Sequence, residues 1–364
     1  MKKRKIAVVH DVLLEYGGAE KVLLEILRLY PDADLFTLFF NKRNEQIKLA
    51  FKDKKIYWNR SKFLSGLSRL GPYFSVSKLF SWYYFFSLDF SHYDLVISSS
   101  GTFNAKCLRV SKHKHLCYLF SPPKYLYEEE NELGFINAYP WKLLFFPIKY
   151  FLRKVDAYFA SKPDLIATNS KTVGKRIFRY YGRRSIVIYP PVEQPTFKKG
   201  TKHFFVAHSR LVKQKGLELI VQTCTRFSLP LVVIGEGYQR KYLERIAGPT
   251  IFFTGFISRE AISRCYAKAY ALLYSAVDED FGLVPVEAQA HGLPVICFRS
   301  GALMETVVEN KTGYFFCEQT SASLLSAIAK LLRKPIDPAD CRKQSGKFSR
   351  KQFKSKITQA VSSL

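Results

Sequence analysis

Short apolar runs rich in β-branched residues recur along this chain with helical stretches between them, and that alternation constrains the fold more than any other feature. Residues 6–9 lead into a loop holding Gly17 and Gly18, after which Val22, Leu23, Ile26, Leu27 and Tyr30 recur at helical spacing. Further strand-like runs fall at 94–98, 115–119 and 164–168, as a parallel sheet covered by helices requires. Pro190, Pro191 and Pro195 then stiffen the chain ahead of a polar basic stretch. Beyond it the alternation restarts, with strands predicted at 203–207, 231–234, 250–253, 271–275 and 294–297. The pattern predicts an α/β protein of two doubly wound domains: residues 1–192, a linker at 193–200, and residues 201–340. A C-terminal helix at 341–364 is expected to pack back on the first domain.

Length supports the division, since 364 residues exceed what one hydrophobic core usually holds. A ligand is then expected between the two domains. The formal charge of +27 favours anionic partners such as phosphorylated ligands, nucleic acid or acidic lipid headgroups, without choosing among them. The seven cysteines are scattered and never spaced Cys-x-x-Cys, which points away from zinc and from a disulfide framework. The apolar run at 6–9 is stopped by His10 and Asp11, too soon for a secretory signal, and no run reaches the ~18 apolar residues of a spanning helix.

Two carboxylates stand out. Residues 271–275 read as a buried strand and Pro285 as a first-turn residue of the next helix, which puts Glu279 on the connecting loop and Glu287 in that helix's first turn. Ligands of open α/β sheets collect at that edge, and a carboxylate there can accept both hydrogens of a vicinal diol. Position alone equally allows Glu287 simply to complement the helix dipole.

The run from Glu279 to Val295, Glu-Asp-Phe-Gly-Leu-Val-Pro-Val-Glu-Ala-Gln-Ala-His-Gly-Leu-Pro-Val, resembles the donor-site motif of retaining glycosyltransferase family 4. Ser209-Arg210-Leu211-Val212-Lys213-Gln214-Lys215-Gly216, the first loop with His10, Asp11, Gly17 and Gly18, and the Gly235-Glu236-Gly237 turn are similar to the family at the expected places. The resemblance implies the GT-B fold, two Rossmann-like domains facing across a cleft, and a nucleotide-diphosphate sugar as donor. It gives Glu279 the transferred sugar, Glu287 the ribose, and Arg210 and Lys215 the diphosphate, with Gly17, Gly18, Gly235, Phe281, Gly282 and Leu283 lining the donor site. Chemistry agrees with the cationic pair, because an Arg fork matches phosphate oxygens and a Lys supplies a mobile point charge. No cofactor or metal is implied, although Asp278-Glu279-Asp280 has the Asp-x-Asp form used for metal-bridged diphosphate elsewhere.

Ser98-Ser99-Ser100, Lys106 and Ser121-Pro122-Pro123-Lys124-Tyr125 resemble a branch of bacterial mannosyltransferases of surface-polysaccharide (O-antigen or capsule) assembly. By that resemblance His10, Asp11, Phe120, Ser121, Lys124 and Tyr125 form the acceptor or sugar pocket. Phe120 departs from the branch, which has a histidine there reaching the donor sugar near its 6-hydroxyl. Either a changed sugar such as a 6-deoxyhexose, a changed pose or a compensated drift follows.

The expected activity is retaining transfer of a hexose or deoxyhexose, mannose-like, from a GDP- or UDP-sugar to a lipid-linked saccharide. A glycoside hydrolase would use Glu279 and Glu287 as acid and nucleophile but has no use for Arg210 and Lys215. A nucleotide-sugar epimerase of the same fold differs in leaving its product sugar unattached. Nucleic acid is not an expected partner, because no helix-turn-helix, zinc-finger or RNP-like pattern accompanies the charge. Basic aromatic segments at 61–90 and 141–150 instead suit the headgroup region of an anionic membrane, which predicts a cytoplasmic protein held peripherally on the inner face of the cell membrane. Ordinary core aromatics beside solvated lysines would give the same composition.

Overall fold

The computed structural model describes residues 4–59, 81–110, 114–127, 141–196 and 200–364, with 141–145 described by backbone alone. The chain divides into two compact units, Met1–Tyr189 together with Lys354–Leu364, and Pro190–Phe353.

The first unit holds a seven-stranded sheet in the order β3-β2-β1-β4-β5-β6-β7. Its strands are β1 (Ile6–His10), β2 (Asp34–Thr37), β3 (Ile56–Trp58), β4 (Leu95–Ser100), β5 (Lys114–Leu119), β6 (Leu165–Thr168) and β7 (Ile186–Val187). All the pairings are parallel. Every residue of the central β4 is buried, as a strand covered on both faces must be. The first crossover helix, Gly18–Leu29, turns Val22, Leu23, Ile26 and Leu27 to the sheet.

The second unit repeats the plan with six parallel strands in the order β10-β9-β8-β11-β12-β13. These are β8 (Phe204–His208), β9 (Leu231–Ile234), β10 (Ile251–Gly255), β11 (Ala269–Tyr274), β12 (Val295–Phe298) and β13 (Gly313–Phe316). Strand order reverses between β1 and β4 in one sheet and between β8 and β11 in the other. Loops leaving the carboxyl ends of those four strands diverge there and leave a crevice for ligand.

Four strands were not legible beforehand: β2, β3, β7 and β13. The helix after β11 also begins earlier than its proline suggested. It runs from Leu283 to Ala290, so Glu287 lies four residues past the start, in the second turn. That distance removes most of its leverage on the helix dipole. The C-terminal stretch expected as one helix is two, Pro338–Gly346 and Arg350–Ser362. Gly346 ends the first, and the Val192 N–H bonds to Phe348 O at 2.8 Å in the break.

Candidate active site

In the second unit, Arg210 follows β8 by two residues. Its backbone is fixed by the Gly235-Glu236-Gly237 turn at the end of β9: Leu211 N–H donates to Glu236 O at 2.8 Å. Gly235 has φ +131°, and a Cβ there would fall 2.0 Å from Ser209 O. Only glycine permits this approach, so the turn presents Arg210 rather than binding anything through a side chain. The Arg210 guanidinium is exposed and has no hydrogen-bond or ion-pair partner among the described residues.

Lys215 ends a short turn of 3-10 helix, Lys213–Lys215. Ser275 holds this turn from β11's end, its Oγ lying 2.7 Å from Gly216 O and 3.2 Å from Lys215 O. The Ser275 carbonyl in turn accepts from Gln319 Nε2 at 3.0 Å.

Glu279 comes to Lys215 from the other side. Lys215 Nζ lies 2.7 Å from Glu279 Oε2, and Tyr274 Oη donates to the same oxygen at 2.9 Å. Lys215 Nζ also reaches Tyr274 Oη at 3.4 Å, closing a three-member cluster. The Glu279 backbone is clamped: Asp278 N–H donates to Ser300 Oγ at 2.8 Å and Ala302 N–H to Glu279 O at 2.9 Å. Gly301, at φ +55°, lies so close that a Cβ would meet Glu279 O at 2.5 Å. Asp278 itself takes a left-handed conformation, φ +56°, which a short polar residue tolerates best.

Phe281 is buried with its ring edge-on to Phe348 at 5.5 Å, so its side chain serves the core. Gly282 precedes the helix, Leu283 opens it, and Glu287 is half-buried within it. Burial, and then the Glu287 charge, raise the pKa of Tyr266, whose hydroxyl meets His208 Nδ1 at 2.6 Å. Among the described residues no three His, Cys, Asp or Glu side chains are grouped to hold a metal ion.

The first unit places its candidates at its own strand-order reversal. His10 Nδ1 lies 3.0 Å from Ser99 Oγ, and Nε2 lies 3.6 Å from Glu20 Oε1. Glu20 also accepts from Gly17 N–H at 2.8 Å, which fixes the Gly17–Gly18 entry to the helix. Asp11 is occupied: Oδ2 accepts from Gly101 and Phe103 N–H at 2.8 and 2.9 Å, and Oδ1 from Ala105 N–H at 2.8 Å. Burial raises its pKa against the pull of His10 and those amides. Its chemistry is that of a staple holding the loop after β4. Phe120 follows β5, bonds Ser100 O through its N–H at 2.8 Å and packs edge-on to Tyr118. A Cβ on Gly101 would lie 3.4 Å from Asp11 and 3.8 Å from Phe120, so these three come together.

Ser121 Oγ is buried and has no hydrogen-bond partner among the described residues, and Lys124 opens a helical turn, Lys124–Tyr127. Tyr125 is buried beside Asn104, and below it lies a buried ion pair. Lys106 Nζ meets Asp156 Oδ1 at 2.5 Å and Asn104 Oδ1 at 2.8 Å. Tyr127 and Tyr181 donate to Asp156 Oδ2 at 2.9 and 2.6 Å. Desolvation opposes the Lys106 ammonium, but Asp156 prevails and its pKa is raised. Tyr274, Ser300, Gly301 and Asp156 escaped the sequence reading. Only Tyr274 left a trace, as the last residue of a predicted buried strand ending at the ligand edge.

Residues 61–80 of the first basic aromatic stretch, with Lys62, Arg69 and Lys78, lie outside the described residues. In the second, helix Trp141–Ala160 exposes Phe146, Ile148, Tyr150, Phe151 and Tyr158. Among the described residues no helix is long and apolar enough to cross a membrane.

Residues 191–348 match the family model of glycosyl transferases group 1. A GDP-mannose-dependent alpha-mannosyltransferase of Corynebacterium glutamicum is 29% identical over 132 residues, 36% of this chain and 31% of that protein. The alpha-1,3/1,6-mannosyltransferase ALG2 of Mus musculus is 25% identical over 255 residues, 58% of this chain and 61% of that protein. The chain spans about a third of the length of several curated relatives it matches. Among solved structures, Anabaena Alr3699/HepE in complex with UDP superposes with a TM-score of 0.72 at 18% identity, covering 99% of this chain and 100% of that one. The lipopolysaccharide outer core galactosyltransferase WaaB does so at 0.68 and 14%, covering 99% of each. At these identities the likeness is one of fold. Residues 191–348 are thus similar to glycosyl transferases group 1, in a chain with the two parallel-sheet, Rossmann-like architecture of GT-B glycosyltransferases.

Proposed function

We propose that the protein is a retaining glycosyltransferase of family 4 that moves a mannose-like hexose or deoxyhexose from a GDP- or UDP-sugar to a lipid-linked saccharide in bacterial surface-polysaccharide assembly. The observation that carries the reading is the placement of exposed Arg210 and of the Lys215–Glu279 pair on loops leaving β8 and β11. The glycosyl transferases group 1 match over the same residues supports it, as do mannosyltransferase relatives and a HepE structure containing UDP-glucose.

Breaking the bond from anomeric carbon to phosphate oxygen is limited by charge on the departing diphosphate and by the oxocarbenium-like sugar. Arg210 and Lys215 stabilise the first, Glu279 orients the second, and Glu287 takes the ribose. Same-face attack lets the leaving phosphate accept the acceptor's proton, so no separate protein base is required. The cationic pair supplies the charge a metal would, and transfer is expected to survive EDTA. Phe120, where the mannosyltransferase branch has histidine, favours a donor lacking the 6-hydroxyl.

A panel of GDP- and UDP-sugars read by nucleotide release, with mass spectrometry of a lipid-linked saccharide, tests the proposal. Release that depends on acceptor supports transfer. Sugar release from a non-nucleotide glycoside, or an unattached isomerised sugar, overturns it. The exposed aromatic face of helix Trp141–Ala160, with Lys154 stacked on Tyr150, is the surface we assign to an anionic inner membrane leaflet. Unchanged vesicle binding by Tyr150→Ala/Phe151→Ala/Lys154→Glu would refute that assignment.

A further inference from the structure

Glu279 and Lys215 are paired with each other, yet the proposed reaction needs Lys215 on the diphosphate and Glu279 on the sugar. A donor therefore has to divide the pair. Lys215 can leave, since its flexible stem carries a compact charge and its backbone stays pinned by Ser275. Glu279 would then lose the Lys215 ammonium in a site where its side chain is only 14% exposed. Tyr274 is a partner that stays in place. Its ring is buried at the end of β11, its hydroxyl already donates to Glu279 Oε2, and no loop movement is needed to keep that bond.

We infer that Tyr274 is a positioning residue which holds Glu279 through the exchange of Lys215 from carboxylate to diphosphate, and so couples diphosphate binding to recognition of the donor sugar. The inference rests on the donor-site reading of Arg210, Lys215 and Glu279. Two details support it. Tyr274 donates to the same oxygen as Lys215, so the bond to Oε2 persists when Lys215 moves away. Burial first, and then the Glu279 charge, raise the Tyr274 pKa, so the phenol keeps its proton and remains a donor at neutral pH. In the free protein the phenol oxygen also accepts from Lys215, so all three groups are satisfied before donor arrives.

Calorimetric titration of wild type, Tyr274→Phe, Glu279→Gln and the double variant with UDP, GDP, UDP-glucose and GDP-mannose tests this. Tyr274→Phe should bind the preferred nucleoside diphosphate as wild type does, which also reports a folded site. It should lose about tenfold in affinity for the preferred nucleotide sugar, the size of one hydrogen bond to a charged group. The double variant should bind that nucleotide sugar no worse than Glu279→Gln alone, because both changes remove one arrangement. Wild-type affinity of Tyr274→Phe for the nucleotide sugar, or losses that multiply in the double variant, overturn the inference while leaving the donor site standing. A wild-type protein that binds neither UDP nor GDP overturns the donor-site reading and this inference together.

Discussion

Arg210 and Lys215 carry the same charge into different surroundings, one an unpaired guanidinium in solvent and the other an ammonium shared between a carboxylate and a phenol. Their replacements should therefore fail differently. Arg210→Lys keeps the charge but loses the planar fork, and a fall of about tenfold in affinity for UDP or GDP is expected by calorimetry. On the proposed mechanism Lys215→Met removes the charge assigned to the leaving group, and kcat should fall by ~100-fold or more in a nucleotide-release assay. The placement of both residues and of Glu279 on strand-end loops was legible, because each sits in a spacing tied to a neighbouring apolar run. Tyr274 was not legible: its role depends on which way the last side chain of β11 points. Asp11 shows the opposite failure. Its type and place suggested a ligand, and folding has spent both oxygens on the amides of Gly101, Phe103 and Ala105.

Elements position these residues through close backbone contacts that no side-chain pattern announces. Gly301 lies against the backbone of Glu279, so Gly301→Ala must push the Glu279 loop aside and strain a left-handed residue, at a cost of about 1–3 kcal/mol. Transfer should drop at least about tenfold while UDP or GDP binding through Arg210 persists, a split measurable by kinetics and calorimetry on one sample. In the first unit, the Lys106–Asp156 pair ties the loop after β4 to helix Trp141–Ala160. Lys106→Met would leave a buried carboxylate without its cation, and a loss of about 3–5 kcal/mol is expected from the urea midpoint of the full chain. The long apolar strands announced themselves in the sequence. The edge strand Ile56–Trp58, the four-residue Asp34–Thr37 and Gly313–Phe316 did not: unlike the equally short Leu231–Ile234 and Val295–Phe298, they hold at most one β-branched aliphatic residue, and their pairing is defined by their neighbours' hydrogen bonds.

For the whole molecule, acid is the expected weakness. The chain already carries a formal +27 at pH 7, and protonating its carboxylates only adds to that self-repulsion. His115 adds a specific contribution: burial outweighs the nearby Asp164 and pushes its pKa down from 6.5 to about 4, with Nδ1 lacking a hydrogen-bond partner among the described residues. The unfolded chain therefore takes up this proton first. Stability is lost as pH falls from 6.5 towards 4, by about 3 kcal/mol at the limit, and no further below that. Denaturation midpoints measured across this range should decline, the decline should be shallower in His115→Gln, and added salt should recover only the self-repulsion. The two units also differ in how the chain supplies them. Pro190–Phe353 is one continuous stretch, whereas the other unit joins Met1–Tyr189 to Lys354–Leu364. A ribosome therefore makes every residue of the second unit before it makes Lys354–Leu364 of the first. A chain truncated ahead of Lys354 would carry all of the second unit and an incomplete first one, so the unit begun first is the one finished last.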